Sequence, residues 1–260
     1  MDASKRSDIF GEALGPDWHS GLNIQGCISE KSVTIEKNAE VEEIKENPTD
    51  QEFKLLIRLT NGKIIACDLV VSATGVIPNG DQIKVKGLDL DANKAIAIND
   101  NMETSVKDVF SAGDVCSCEK WTHSRLWLQM RLWTQARLMG LYSGECMLNS
   151  LRNPSVKLDL DFSFEMFSHV TKFFGFKVIL LGLFNGQGLD PKDYEVLLRV
   201  TKGHEYVKVV VQDGKMLGAL LIGETELEET FENLILNQLD ISSYGEDLLH
   251  PDVDIQDYFD

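Results

Sequence analysis

The sequence has no apolar run near the ~18 residues that a membrane-spanning helix needs. Its longest stretches, such as Val178–Leu181 and Met216–Ile222, fall far short, and the opening MDASKRSDIFGEALGPDW carries no apolar signal core. No membrane attachment is expected. Basic residues are scarce as well: 25 Lys and Arg stand against 42 Asp and Glu, a net charge of −17 that repels a phosphate backbone and argues against direct nucleic-acid binding. The shortage is steepest over residues 216–260, which hold 12 acids and no Lys or Arg. Cysteine is sparse and odd in number, five residues at positions 27, 67, 116, 118 and 146, and no Asn-x-Ser/Thr acceptor occurs without an intervening proline. A reducing compartment fits that pattern. Cys116-Ser-Cys118 is tighter than a zinc-knuckle spacing and has no second Cys or His pair nearby, so free thiols and no metal site are expected.

What is present suffices for folded domains, since 43% of the 260 residues are hydrophobic. Val33 and Ile35, then Val41 and Ile44, predict a strand pair within Lys31–Glu46, ended by the polar cluster Glu46-Asn-Pro-Thr-Asp50. Phe53, Leu55, Ile57 and Leu59 alternate with Lys54, Leu56, Arg58 and Thr60, and Asn61-Gly62 offers two positive-φ positions for a tight turn into Lys63–Cys67. Asp68-Leu-Val-Val-Ser-Ala-Thr-Gly75 is a continuous apolar run, which predicts a central strand covered on both faces. Ala95–Asn99 and Asp108–Gly113 read as two further strands.

From about Ser124, the residues Leu126, Met130, Trp133, Arg137, Gly140, Leu141, Gly144 and Leu148 fall at three- and four-residue steps and predict a long helix. Its small-residue stripe, Ala136, Gly140 and Gly144, implies a close neighbour, because each interior glycine costs a helix about 1 kcal/mol. Pro154 and its polar neighbours mark a boundary. Beyond it, strands are predicted over 176–184, 194–200, 205–212 and 215–222, the last two joined by Asp213-Gly214, and an amphipathic helix over 225–239. The expected organisation is an α/β part, with a connecting β-meander over 1–67 and a sheet-and-helix segment over 68–150, followed by an α+β domain over 155–260.

Strands ending in Ala73-Thr74-Gly75 and Ala112-Gly113-Asp114 would bring two glycines and a carboxylate to the carboxyl edge of a parallel sheet, where open α/β sheets bind ligands. Glycine admits a ligand close to the backbone, aspartate accepts hydrogen bonds from sugar-like hydroxyls, and a following helix N-terminus offers free N–H groups. The same residues equally suit two turns and an N-cap aspartate, and spacing alone leaves both open. His123 reads as an exposed helix-start histidine or a proton donor, and His169, between Phe167 and Phe173, as a satisfied core residue. Glu224–Glu232 reads as a solvated helix face. Asp252-Val-Asp-Ile-Gln-Asp-Tyr-Phe-Asp260 reads as a frayed end or a docking peptide.

The segments Asp68–Asn79 and Thr104–Val115 resemble the two downstream flavin motifs of the pyridine nucleotide-disulphide oxidoreductase family, and Gly15–Trp18, Gln129–Arg137, His169–Phe174 and Ile222–Gln238 resemble one branch of it. The resemblance implies the second half of a Rossmann-like FAD-binding domain, preceded by the end of an NAD-binding domain. It places Asp114 on the ribityl chain of FAD with Gly113 allowing close approach, sets Thr74 and Gly75 along the same cofactor, and makes Trp121, Trp127 and Trp133 core or flavin-cover residues. The Gly-x-Gly-x-x-Gly turns with which the family holds FAD and NAD(P)H are missing: Gly75–Gly80 and Gly182–Gly188 lack the spacing. The chain therefore resembles the C-terminal half of such a protein, and FAD binding is expected to need the missing half.

No cysteine pair has reductase spacing, and His250-Pro251 lacks the glutamate that follows five residues on in one branch, where this chain has Ile255. The implied activity is NAD(P)H oxidation through FAD without a redox disulphide, in defence against oxidative damage, in the cytoplasm or nucleus. The competing class is a non-catalytic interaction module that uses the C-terminal domain and acidic tail, for which the resemblance implies a tRNA ligase complex as partner.

Overall fold

The computed structural model describes residues 34, 36–48, 52–119, 121, 123–173, 175–250, 253 and 255. Two compact units are present, Met1–Gly75 and Val76–Asp260. Mixed sheets and helices put the chain in the α/β class.

In the first unit β1 (Val41–Glu46), β2 (Leu55–Leu59) and β3 (Ile64–Cys67) form an antiparallel sheet in chain order. Alternation buries Ile57 and Leu59 and turns Arg58 outward to Glu42 and Glu43. Of the strand pair predicted within Lys31–Glu46, the first run lies largely outside the described residues, and β1 pairs with β2. The predicted Asn61-Gly62 turn forms by another route: Gly62 has φ 82° while Asn61 has no positive φ, with Leu59 N–H donating to Lys63 O and Gly62 N–H to Leu59 O. That is a three-residue loop, in which one left-handed residue suffices.

Asp68–Gly75 is not a strand, and Leu69 and Val71 are 75% and 78% exposed. A central strand needs a partner on each edge, and among the described residues the one parallel ladder is two residues long, β4 (Ile96–Ala97) beside β5 (Cys116–Ser117). Asp108–Gly113 is likewise a loop, with Asp108 at φ 63° and Phe110 bridged to Glu103. The ladder begins only at Cys116.

The long helix, α1, spans Trp133–Arg152 and starts nine residues later than its period predicts. Arg131 at φ 53° and the extended Leu132 cannot propagate a helical ladder, so the apolar steps before Trp133 come from a folded loop. Met139, Tyr142 and Cys146 of α1 pack with Ile96, Ile98, Met102, Cys116 and Phe164 in one core. The small-residue stripe does not meet the expected neighbour along its length: Gly113 lies against Ala136, whereas a Cβ added at Gly140 or Gly144 would meet nothing within 4 Å.

The second core belongs to a five-stranded antiparallel sheet in the order β6-β7-β10-β9-β8, with β6 Ser168–Phe173, β7 Phe176–Gly182, β8 Glu195–Thr201, β9 Glu205–Gln212 and β10 Lys215–Ile222. Asp213 and Gly214, at φ 51° and 70°, make the predicted two-residue turn. The sequence pattern does not predict β6. As an edge strand with little burial it carries no clear alternation, and His169 is half-buried there rather than in a core. Helix α2 (Glu228–Asn237) lays Phe231, Leu234 and Ile235 fully buried on the sheet, each contributing about 1.5–3 kcal/mol. Glu228 and Glu229 occupy its first turn, where the helix dipole favours them. Ile255 is 2% exposed within this same core, so the chain end is packed at that residue and not frayed; except for Val253, the remaining tail residues lie outside the described ones.

Candidate functional site

The Gly113–Asp114 corner is built by one backbone reversal. Ala112 is extended, Gly113 turns to φ 78°, and a 3₁₀ turn over Gly113–Val115 ends where Cys116 N–H donates to Gly113 O. A side chain at position 113 would need that left-handed φ and would stand 3.4 Å from Ala136 Cβ. The Asp114 side chain caps no helix. Its Oδ1 is buried with no hydrogen-bond partner among the described residues, a condition that costs roughly 1–3 kcal/mol and that an incoming hydroxyl donor would relieve.

Residues 128–132 run alongside as a strap. Gln135, buried in the first turn of α1, accepts from Met130 N–H and donates to Leu128 O, both at 2.8 Å. Gln129 Nε2 donates to Gly113 O at 3.3 Å, and Arg131 Nε to Asp114 O at 3.2 Å. Sequence reasoning missed this role for Gln129, Arg131 and Gln135, because side-chain bonds to distant carbonyls leave no periodic trace. The first turn of α1 holds no acidic residue and has no side-chain cap, so nothing within that turn offsets its partial positive charge. Trp133 stands there 87% exposed.

Thr74 and Gly75 belong to the first unit: Gly75 has φ 89°, Thr74 Oγ1 lies 3.4 Å from Ser72 Oγ, and both residues are exposed. Trp121 and Trp127, both partly buried, stack at 4.9 Å and meet Phe164 edge-on at the margin of the core. His123 Nε2 lies 2.8 Å from Glu165 Oε1. Cys67, Cys116, Cys118 and Cys146 are free thiols. Burial pushes Cys116 up to about 11 and raises Cys118 further. A thiol held protonated is a poor nucleophile. Among the described residues no His, Cys, Asp and Glu group could hold a metal ion, and no helix is long and apolar enough to cross a membrane. A pocket of about 270 Å³ is lined by Cys118, Trp121, Trp127, Gln129 and Arg131 beside the strap. The larger cleft of about 820 Å³, at Tyr194–Leu197 and Gln212–Gly214, shares no residue with the corner.

Residues 8–140 match the family described as pyridine nucleotide-disulphide oxidoreductase. The chain belongs to that family. Residues 168–239 match the rubredoxin NAD+ reductase C-terminal domain. Pyridine nucleotide-disulfide oxidoreductase domain-containing protein 1 of Homo sapiens is 49% identical over 285 residues, covering 99% of this chain and 55% of the human protein. Its Danio rerio counterpart is 52% identical over 274 residues, covering 99% of this chain and 54% of the fish protein. The chain thus spans about 55% of the length of these relatives. Among solved structures, the ferredoxin reductase for the CYP199A2 system of Rhodopseudomonas palustris shares the fold at TM-score 0.57 and 19% identity, over 81% of this chain and 47% of that one. A NAD-dependent persulfide reductase from A. fulgidus does so at TM-score 0.55 and 20% identity, over 79% and 38%. For the polyol chain of a flavin the corner has a carboxylate oxygen with no hydrogen-bond partner among the described residues, next to a glycine that is itself buried against Ala136.

Proposed function

We propose that the chain is the flavin-contacting part of an FAD-dependent pyridine nucleotide oxidoreductase that oxidises NAD(P)H without a redox disulphide. The observation that carries this is Asp114 Oδ1, an acceptor kept out of water and left unpartnered at the motif residue expected to meet the ribityl hydroxyls. In this reading Asp114 accepts from a ribityl hydroxyl and Gly113 admits the chain. The N-terminus of α1 offers positive potential to an anionic ring edge, with Trp133 available to shield it from water. FAD, when bound, supplies the hydride-accepting chemistry. Thr74 and Gly75 are assigned to the cofactor by their motif alone. The protonated state of Cys116 and Cys118 favours a mechanism that does not pass through them. The role in defence against oxidative damage and the cytoplasmic or nuclear location belong to the same proposal.

The test is FAD titration, followed by flavin fluorescence, of a protein that carries this chain together with the N-terminal half that holds the rest of FAD. A hydrogen bond to a charged group contributes about 1.5–3 kcal/mol, so Asp114→Ala should weaken FAD by roughly 10- to 150-fold. Equal affinity of the variant and the unaltered protein would reduce the motif to a turn.

A further inference from the structure

We infer that Gln129 and Arg131 are positioning residues for the cofactor, clamping the Gly113–Asp114 corner so that the Asp114 carboxylate stays aimed at a polyol hydroxyl; this rests on the flavin reading above. The corner has few bonds of its own. Gly113 O takes the Cys116 N–H, and the ladder that follows is only the two-residue β4–β5 pair. A side-chain bond from Cys116 Sγ to Ser111 Oγ spans the corner, and two further ties come from 16 and 17 residues away, where Gln129 and Arg131 donate to the consecutive carbonyls of Gly113 and Asp114.

The donors are themselves fastened. Gln135 grips Leu128 O and Met130 N–H from the first turn of α1, so the strap is fixed on the two residues flanking Gln129. Arg131 sits at φ 53°, a conformation that a residue with a side chain keeps only when its surroundings over-determine it. Three side chains and one strained residue therefore hold a corner whose carboxylate oxygen has no partner among the described residues. A loop that needed only anchoring could have turned that oxygen to solvent. Fixing the backbone that carries it leaves only the side chain to shift when a hydroxyl arrives, which is how preorganisation raises affinity.

Two variants, made in a protein that carries this chain together with the N-terminal FAD-holding half, test this. Gln129→Glu is isosteric but sets an acceptor against the Gly113 carbonyl. Arg131→Asn loses the guanidinium while tolerating the left-handed backbone. Hydrogen exchange over residues 113–118 should show the Cys116 amide losing roughly 10-fold in protection in each variant, the loss expected for one hydrogen bond. FAD affinity should fall by a similar factor, while lumiflavin, which carries a methyl group in place of the ribityl chain, should bind all forms alike. Unchanged exchange in both variants overturns the inference. So does a parallel loss of FAD and lumiflavin, which would mean general damage rather than positioning. Failure of the unaltered protein to bind FAD, with exchange still loosened, overturns the flavin reading and leaves the clamp as a tie without that ligand. Should Gln129→Glu fail to fold, Gln129→Ala gives the same readouts.

Discussion

At the residue scale, Asp114 shows how a binding group can oppose stability. Its buried Oδ1 lacks a partner among the described residues, so removing it relieves roughly 1–3 kcal/mol of unsatisfied polarity. Without FAD, Asp114→Ala should raise the urea midpoint of unfolding while lowering FAD affinity, opposite signs that a mere structural aspartate would not produce. Cys116 sets a pH limit. Burial raises its thiol from the ordinary 9.0 to about 11, against the opposing hydrogen bond to Ser111. The unfolded chain therefore releases this proton at lower pH than the folded one, so the stabilisation is full below pH 9 and is lost as pH rises towards about 11. Urea unfolding at pH 8, 9.5 and 10.5 should show a decline that is smaller by on the order of 2 kcal/mol in Cys116→Ala, the remainder coming from other groups raised by burial, Cys118 among them. Asp114 was legible because a Gly-Asp pair after an apolar run is a local signal. Gln129, Arg131 and Gln135 were not, because their partners lie in other segments.

At the element scale, two glycines with opposite surroundings separate propensity from packing. Gly218 pairs across the sheet with Gly182, and a Cβ there would lie 2.3 Å from the Leu183 carbonyl carbon and 2.5 Å from Phe184 N. Backbone cannot rotate away as a side chain can, so Gly218→Ala should lose ~3 kcal/mol or more in thermal unfolding, the upper end for overpacking. Gly140, inside α1 with nothing within 4 Å, meets no such obstacle, and Gly140→Ala should gain about 0.5–1 kcal/mol by helix propensity. The hairpin of β9 and β10 was legible to the residue, since both of its strands bury a patterned face and its turn has local chemistry. Asp68–Gly75 misled because a continuous apolar run states a demand for neighbours without supplying them.

At the scale of the whole molecule, the acidic C-terminus has a packing role that composition hides. Residues 216–260 carry no Lys or Arg, which suggests a solvated end, yet Ile255 is buried in the core that α2 and β10 share. Ile255→Ala should cost about 2–5 kcal/mol, the range for emptying a buried aliphatic site. Ending the chain at Pro251 should lower the thermal midpoint comparably. An unchanged midpoint in both would return the tail to a solubilising role.

By itself the sequence determined the family, the α/β class and the Gly-Asp motif, because each rests on short-range patterns: alternation, turn residues and a few consecutive side chains of fixed chemistry. Only the tertiary structure decided where α1 begins, which apolar runs pair, that Ile255 packs into the core and what holds the Gly113–Asp114 corner. The physical reason is common to all four. A strand, a helix start or a buried tail is stabilised by groups that come from elsewhere in the chain, and hydrogen bonds such as Gln129 to Gly113 O or Gln135 to Leu128 O exist only once folding has brought those groups together.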